Sequence, residues 1–321
     1  MNDNTQQPQL PTNFFPITPD YGKGPNPVVG IIGHGVIGKA VERSLLPVVQ
    51  RFLVDPEHNT NIDQLVEQEP ILSFVCTPTP SDSSGRIDAG DTVDAVLTLI
   101  RNTQSAVVLK STVSPEVLDK LCRTIYAEEA FARFIYVPEF LTERNADDQY
   151  CNPKYMVLGG FEQSCNALLE FFHFNTLMVL PKNQKDDGGI HIVNHIEASL
   201  IKYAINTYLA TKVTFFNNLF SACEEHADKG VVPSIVAKAV SAEPRIGNTH
   251  WRVPGFDGKK GFGGTSFSQD ISIFNDFTDK MPLLKAVIDI NNNIRSKHEV
   301  DQREKSQNTI FGEDIASEEG E

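Results

Sequence analysis

Gly33, Gly35 and Gly38 follow the apolar run Val28-Val29-Gly30-Ile31-Ile32 in the spacing GxGxxG. Between a strand and a helix, the first glycine permits a tight turn and the second lets backbone N–H groups approach a pyrophosphate. The third allows the helix to pack closely on the strand, and the helix start adds partial positive charge. Val36 and Ile37 fill the variable positions, and His34 reads as a spacer in the turn. Phe52-Leu53-Val54-Asp55 then places an acid at the end of the next apolar run, 20 residues past Gly35. A carboxylate there accepts hydrogen bonds from an adenosine ribose and repels a 2′-phosphate, so NAD is expected rather than NADP. A second constellation lies further along. Lys202 and Asn206 stand at i and i+4 and point to the same side of a helix. Lys202 is flanked by Leu200, Ile201, Tyr203 and Ala204, which favours a held, functional lysine over a solvated one.

These side chains need a scaffold, and the apolar pattern supplies one. Runs at 28–32, 52–54, 71–75, 106–109 and 134–136 read as strands, and 38–49, 62–67, 93–101 and 115–126 as the helices between them. Residues 155–158, 162–174 and 177–179 extend the pattern. Strands alternating with helices signal βαβ units and a parallel sheet. After Lys182 the period changes. Val193, Ile196, Leu200, Ala204 and Tyr208 fall at helical spacing, with no Pro or Gly from 190 to 229. That predicts one very long helix, or two that run on, spanning about 60 Å at 1.5 Å per residue. Further helices are expected at 233–240 and 281–295. The expected organisation is a disordered tail over 1–26, a dinucleotide-binding domain over 27–185, a helical domain over 186–296 and an acidic disordered tail over 297–321.

Composition removes several function classes. The chain has 321 residues, 28 Lys plus Arg against 42 Asp plus Glu, and a formal net charge of -14. With no basic run, so acidic a chain is repelled by nucleic acids and anionic membranes. No apolar stretch is long enough to span a bilayer, and the first residues lack the features of a signal peptide. The five cysteines are scattered without a CxxC pair, which fits reduced thiols in the cytoplasm better than disulfides or zinc. No metal site is expected.

Six motifs, in order, now carry a family resemblance. Cys76-Thr77-Pro78-Thr79-Pro80 is similar to a (V/C)PTP loop, and Lys110-Ser111-Thr112-Val113 to a KSTV strand end. Pro138-Glu139-Phe140-Leu141-Thr142-Glu143 is similar to PEFLxEG, with Arg144 in the glycine position, and Ile201-Lys202-Tyr203-Ala204-Ile205-Asn206 to IKYAxN. Pro244-Arg245-Ile246-Gly247 matches xRIG, and 261–270 lies on GFGGSCFPKD. From about 28 to 295 the chain resembles the UDP-glucose/GDP-mannose dehydrogenases, NAD-dependent enzymes that oxidise a nucleotide sugar's primary alcohol to a carboxylate. The resemblance implies a Rossmann-like doubly wound parallel sheet followed by a smaller all-α domain with a long central helix. It implies a homodimer paired along that helix. It also implies that Thr77, Pro78, Thr112 and Glu143 contact the cofactor, and that Phe140, Leu141, Arg245, Phe262 and Gly263 contact the substrate. The chemistry would fall to Lys202, Asn206, Glu139 and Asp270: a base takes the hydroxyl proton and a cation steadies the alkoxide.

The departures are as specific as the matches. The family's second oxidation uses a cysteine thiolate, and Ser266 stands in its place, with Ser268 and Gln269 for the following Pro and Lys. A serine hydroxyl is a far poorer nucleophile near neutrality. Ser199 and Asn218 stand where the family usually has Glu. A third, nucleotide-holding domain is not expected within 321 residues. Two functions remain open: a dehydrogenase that performs at least the alcohol-to-aldehyde step, and a non-catalytic NAD-binding homologue with a structural or regulatory role.

Overall fold

The computed structural model describes residues 27–80, 87–141, 145–181, 188–264, 266–306 and 311. They fall into two compact units. One takes in the described residues up to Thr79 and Asp88–Lys202; the other takes in Pro80, Ile87 and the described residues from Tyr203 onward.

The first unit is built on a seven-stranded sheet: β1 (Val28–Ile32), β2 (Gln50–Val54), β3 (Leu72–Val75), β4 (Ala106–Leu109), β5 (Phe134–Tyr136), β6 (Tyr155–Gly159) and β7 (Gly189–Val193). The spatial order is β2-β1-β3-β4-β5-β6-β7, parallel throughout except where β5 meets β6. Every residue of β3, β4 and β5 is buried. Such apolar runs, broken only by Ser73 in β3, belong to strands covered on both faces. Helices α1 (Val36–Ser44), α2 (Ile62–Val66), α3 (Gly90–Asn102), α4 (Pro115–Ala127), α5 (Ala146–Cys151) and α6 (Glu162–Asn175) connect them. Local chemistry starts several of these. Ser114 caps α4 by accepting from the Val117 N–H at 3.2 Å, with Pro115 at the first helical position. The chain runs from β1 to β2 on one side and returns to β3 on the other. The strand ends on either side of that reversal are where ligands bind in doubly wound sheets.

In the second unit α7 (His195–Glu224) continues past Lys202 and is followed by α8 (Pro233–Ser241), α9 (Ser266–Phe277), α10 (Leu283–Arg295) and α11 (Gln302–Ser306). Phe216, Ala237 and Val253 form a small core there, and Tyr203 packs on Phe274.

Several expectations are corrected. The long helix does not begin at 190: residues 189–193 are a strand paired with β6. Asn194 and Glu197 form a capping box, each side chain accepting from the other's N–H at 2.8 Å, which starts α7 at His195. Its 30 residues span about 45 Å, not 60 Å. Residues 177–179 are not a strand. Leu177 and Val179 are exposed, and their N–H groups go to the carbonyls of Ser44 and Cys151. The first compact unit runs on to Lys202, within α7. Residues 297–306 are not a loose tail. Arg295 is 1 % exposed, and Glu304, 0 % exposed, takes its guanidinium at 2.5 Å. Asp257 takes the other side at 2.7 Å. A guanidinium that deep must be paired, and only this segment brings the second carboxylate. The remaining tail expectations, 1–26 and 312–321, lie outside the described residues.

Candidate active site

The glycine turn has the geometry its sequence implies. Gly33 has φ +86°, and a Cβ there would meet the Cys76 carbonyl oxygen at 2.7 Å, so the ends of β1 and β3 touch through bare backbone. A Cβ on Gly38 would overlap the Gly33 carbonyl, which fixes α1 hard against the strand. At Gly35, by contrast, a Cβ would meet nothing within 4 Å. Gly35 caps α1 without any side-chain bond. The first N–H groups of α1 at Val36 and Ile37 therefore open onto space that suits a pyrophosphate.

Asp55 ends β2 and is tied to this turn. Its carboxylate accepts the His34 N–H at 2.7 Å and the Glu57 N–H at 3.0 Å. Those two bonds, His34's first, hold its carboxyl below the usual range against a small opposing effect of burial. His34 does more than space the turn: it is 9 % exposed, and its ring bonds Glu42 at 2.8 Å and His58 at 2.9 Å. The loops after β3 and β4 are laced together. The Ser111 hydroxyl donates to the Thr77 carbonyl at 2.6 Å, and that of Thr79 to the Thr112 carbonyl at 2.9 Å. Thr77 also bonds Thr92 at 2.7 Å, while Pro78 is exposed beside it. The turn, the uncapped α1 start and Asp55 together fit a dinucleotide with an unphosphorylated ribose. Glu143 lies outside the described residues.

Two clusters of the expected chemical groups are assembled. In the first unit, Lys202 Nζ donates to the Glu139 carbonyl at 2.7 Å and lies 5.4 Å from the centre of the Phe140 ring. The Glu139 carboxylate pairs with Lys110, a residue that sequence reasoning passed over as part of a motif. Ser199 is fully buried and donates to the Val113 carbonyl. Leu141 packs on the sheet's core. In the second unit, Asn206 Nδ2 donates to Asp270 Oδ2 at 2.5 Å, both side chains buried. Phe262 is buried, its backbone bonded in both directions to the Asn291 amide. A Cβ on Gly263 would strike the Arg295 guanidinium, so only glycine fits there. Ser266 is exposed at the first residue of α9.

Arg245 is not drawn into either cluster. It is exposed and bonds both oxygens of Glu243 at 3.0 Å. The RIG turn behind it is held by Lys212, whose ammonium donates to the carbonyls of Ile246 and Gly247 at 2.8 and 2.9 Å. The His250 ring packs on Phe267 at 5.6 Å, next to Ser266, and burial holds it below the usual histidine range. All five cysteines are free thiols, and burial pushes those of Cys76, Cys122 and Cys165 up to about 12. Among the described residues no helix is long and apolar enough to cross a membrane, and no cluster of three or more metal-ligating side chains occurs.

Comparison with known proteins places this geometry. Residues 29–176 match the NAD binding domain, and residues 196–293 the central domain, of the UDP-glucose/GDP-mannose dehydrogenase family. The chain is 29 % identical over 290 residues to a UDP-glucose 6-dehydrogenase of Rickettsia felis, covering 82 % of this chain and 61 % of that protein. Its counterpart in Rickettsia typhi is 28 % identical over 226 residues, 68 % of this chain and 48 % of that one. The chain thus spans between about half and three-fifths of these relatives. A UDP-glucose dehydrogenase from Pyrobaculum islandicum shares the fold with TM-score 0.61 at 22 % identity, over 89 % of this chain and 70 % of that one.

Proposed function

This chain belongs to the UDP-glucose/GDP-mannose dehydrogenase family, carrying its NAD-binding domain, and from there we propose an NAD-dependent oxidation of a nucleotide sugar's primary alcohol. The observation that carries the proposal is the Asn206–Asp270 hydrogen bond, two buried polar side chains held at 2.5 Å. Lys202 stands one helical turn before Asn206. NAD, when bound in the glycine turn, supplies the hydride acceptor. The chain's own residues do the rest. The Lys202 ammonium, fixed by the Glu139 carbonyl, offsets charge developing on the substrate oxygen. Asp270 and Glu139 are the carboxylates available to take the hydroxyl proton. Asn206 orients Asp270. Asp55 excludes the 2′-phosphate of NADP. Phe140, Leu141, Phe262 and Gly263 are assigned to the sugar site, with Arg245 contacting substrate from this subunit or from its partner.

The working unit in this reading is a homodimer in the cytoplasm, paired along α7, where Tyr208 and Phe215 are 63 % and 57 % exposed. Formation of NADH, followed by its absorbance against a panel of UDP- and GDP-sugars, tests the proposal. NAD binding without turnover of any of them would reject it.

One observation favours a second reading. Ser266 supplies no thiolate for the aldehyde step, and none of the five cysteines lies within 40 residues of it. A non-catalytic NAD-binding homologue would keep the cofactor site and lose the second oxidation first.

A further inference from the structure

The proposed chemistry gives no role to the buried Lys110. Lys110 follows β4, its side chain is 2 % exposed, and its ammonium contacts the Glu139 carboxylate that follows β5. Two neutral groups also face it. Burial pushes the Cys76 thiol, after β3, up to about 12. The Tyr150 ring on α5 lies 5.2 Å from the ammonium, and its phenol is held well above the usual range by burial. Burial pushes Lys110 itself down to about 7. A charge so deep survives only against a partner, and Glu139 supplies it. The same contact favours the ionised form of the carboxyl. Glu139 is held at its other end too, since its carbonyl accepts from Lys202 at 2.7 Å.

We propose that Lys110 is a positioning residue that keeps Glu139 ionised and oriented and, through the Glu139 main chain, sets the carbonyl that holds Lys202. The inference rests on the reading of Glu139 and Lys202 as participants in the reaction. Glu139 can take up a substrate proton only while ionised. Lys110 supplies no proton to that step: the substrate proton passes to Glu139, and the ion pair re-forms when Glu139 releases it. The effect reaches Lys202 through the Glu139 carbonyl.

Infrared difference titration of the NAD-loaded protein tests this, with Glu139→Gln subtracted to isolate the Glu139 carboxyl. In wild type Glu139 should be a carboxylate at neutral pH. In Lys110→Met its protonation should move up by roughly one pH unit or more, and in Lys110→Arg it should stay with wild type. The acid limb of NADH formation should move with it in Lys110→Met, kcat falling about 100-fold while the Kd for NAD is unchanged. A purely structural lysine would lower the melting temperature and leave that limb in place. Glu139 protonated at neutral pH in wild type would overturn the inference whatever the variants do, as would an unshifted titration in Lys110→Met. Wild type with an ionised Glu139 and bound NAD but no NADH would overturn the dehydrogenase reading alone.

Discussion

The carboxylate of Asp55 accepts the backbone N–H of His34 at 2.7 Å, so the acid proposed to set cofactor choice also ties the glycine turn to the end of β2. In that reading one side chain serves recognition and loop geometry together. Removing the acid should cost both.

NAD should bind at least about tenfold tighter than NADP, because a 2′-phosphate would face Asp55 with no fixed cation among Pro56, Glu57 and His58. Asp55→Asn should narrow the ratio and weaken NAD as well. Calorimetry with both cofactors decides it; equal affinities for wild type would remove the assignment.

The same contacts give a pH dependence. The His34 and Glu57 N–H groups favour ionised Asp55, so its folded pKa is lower than its unfolded one, near ~3.9. Its contribution is therefore complete above the unfolded value and is lost as pH falls through the folded one. NAD affinity should hold steady down to about pH 4 and fall below it. In Asp55→Asn that acid-side loss should be shallower, and a profile identical to wild type would show that Asp55 is not its source.

Ser266→Cys should raise the NADH yield from about one toward two per sugar, since a thiolate can form the adduct that a serine cannot. Lys202→Ala should abolish both steps with NAD still bound. Two NADH per sugar from wild type would contradict the first expectation.

Phe215 is 57 % exposed on α7, whereas its neighbour Phe216 is 1 % exposed against Ala237 and Val253. A dimer along this helix should depend on Phe215 and Tyr208 and not on Phe216. Light scattering at micromolar concentration should give a dimer for wild type and monomer for Phe215→Glu. A monomeric wild type would count against the assembly.

Glu304→Ala leaves the buried Arg295 with one carboxylate fewer and should lower the unfolding free energy by about 3–5 kcal/mol. Urea unfolding measures it. A loss well under about 1 kcal/mol would mean that 301–306 does not hold Arg295 in place.

Much of this was legible in the chain. β4 and β5 are uninterrupted apolar runs, and Gly33 and Gly38 meet the steric need their spacing implies. β7 was not, because His191 breaks its apolar run while Val193 and Ile196 happen to continue the spacing of the helix beyond. Asn194 and Glu197 were the available signal, a capping pair three residues apart. Lys110 and Arg295 escaped for another reason. A lysine after a strand and an arginine ending a helix both read as solvated cations, and only tertiary packing buries them against Glu139 and Glu304. Glu304 lies in so polar a stretch that no periodicity marks it.

Burial holds four of the five thiols, those of Cys76, Cys122, Cys151 and Cys165, in the protonated form. Alkylating reagents attack thiolates, and burial raises Cys151 as well as holding Cys76, Cys122 and Cys165 near 12. Ser266→Cys would set a sulfur at the exposed start of a helix, where the backbone favours its anion. One mild label could then be directed to a single chosen point on the protein, and its protection by added sugar nucleotides would report occupancy without any turnover at all.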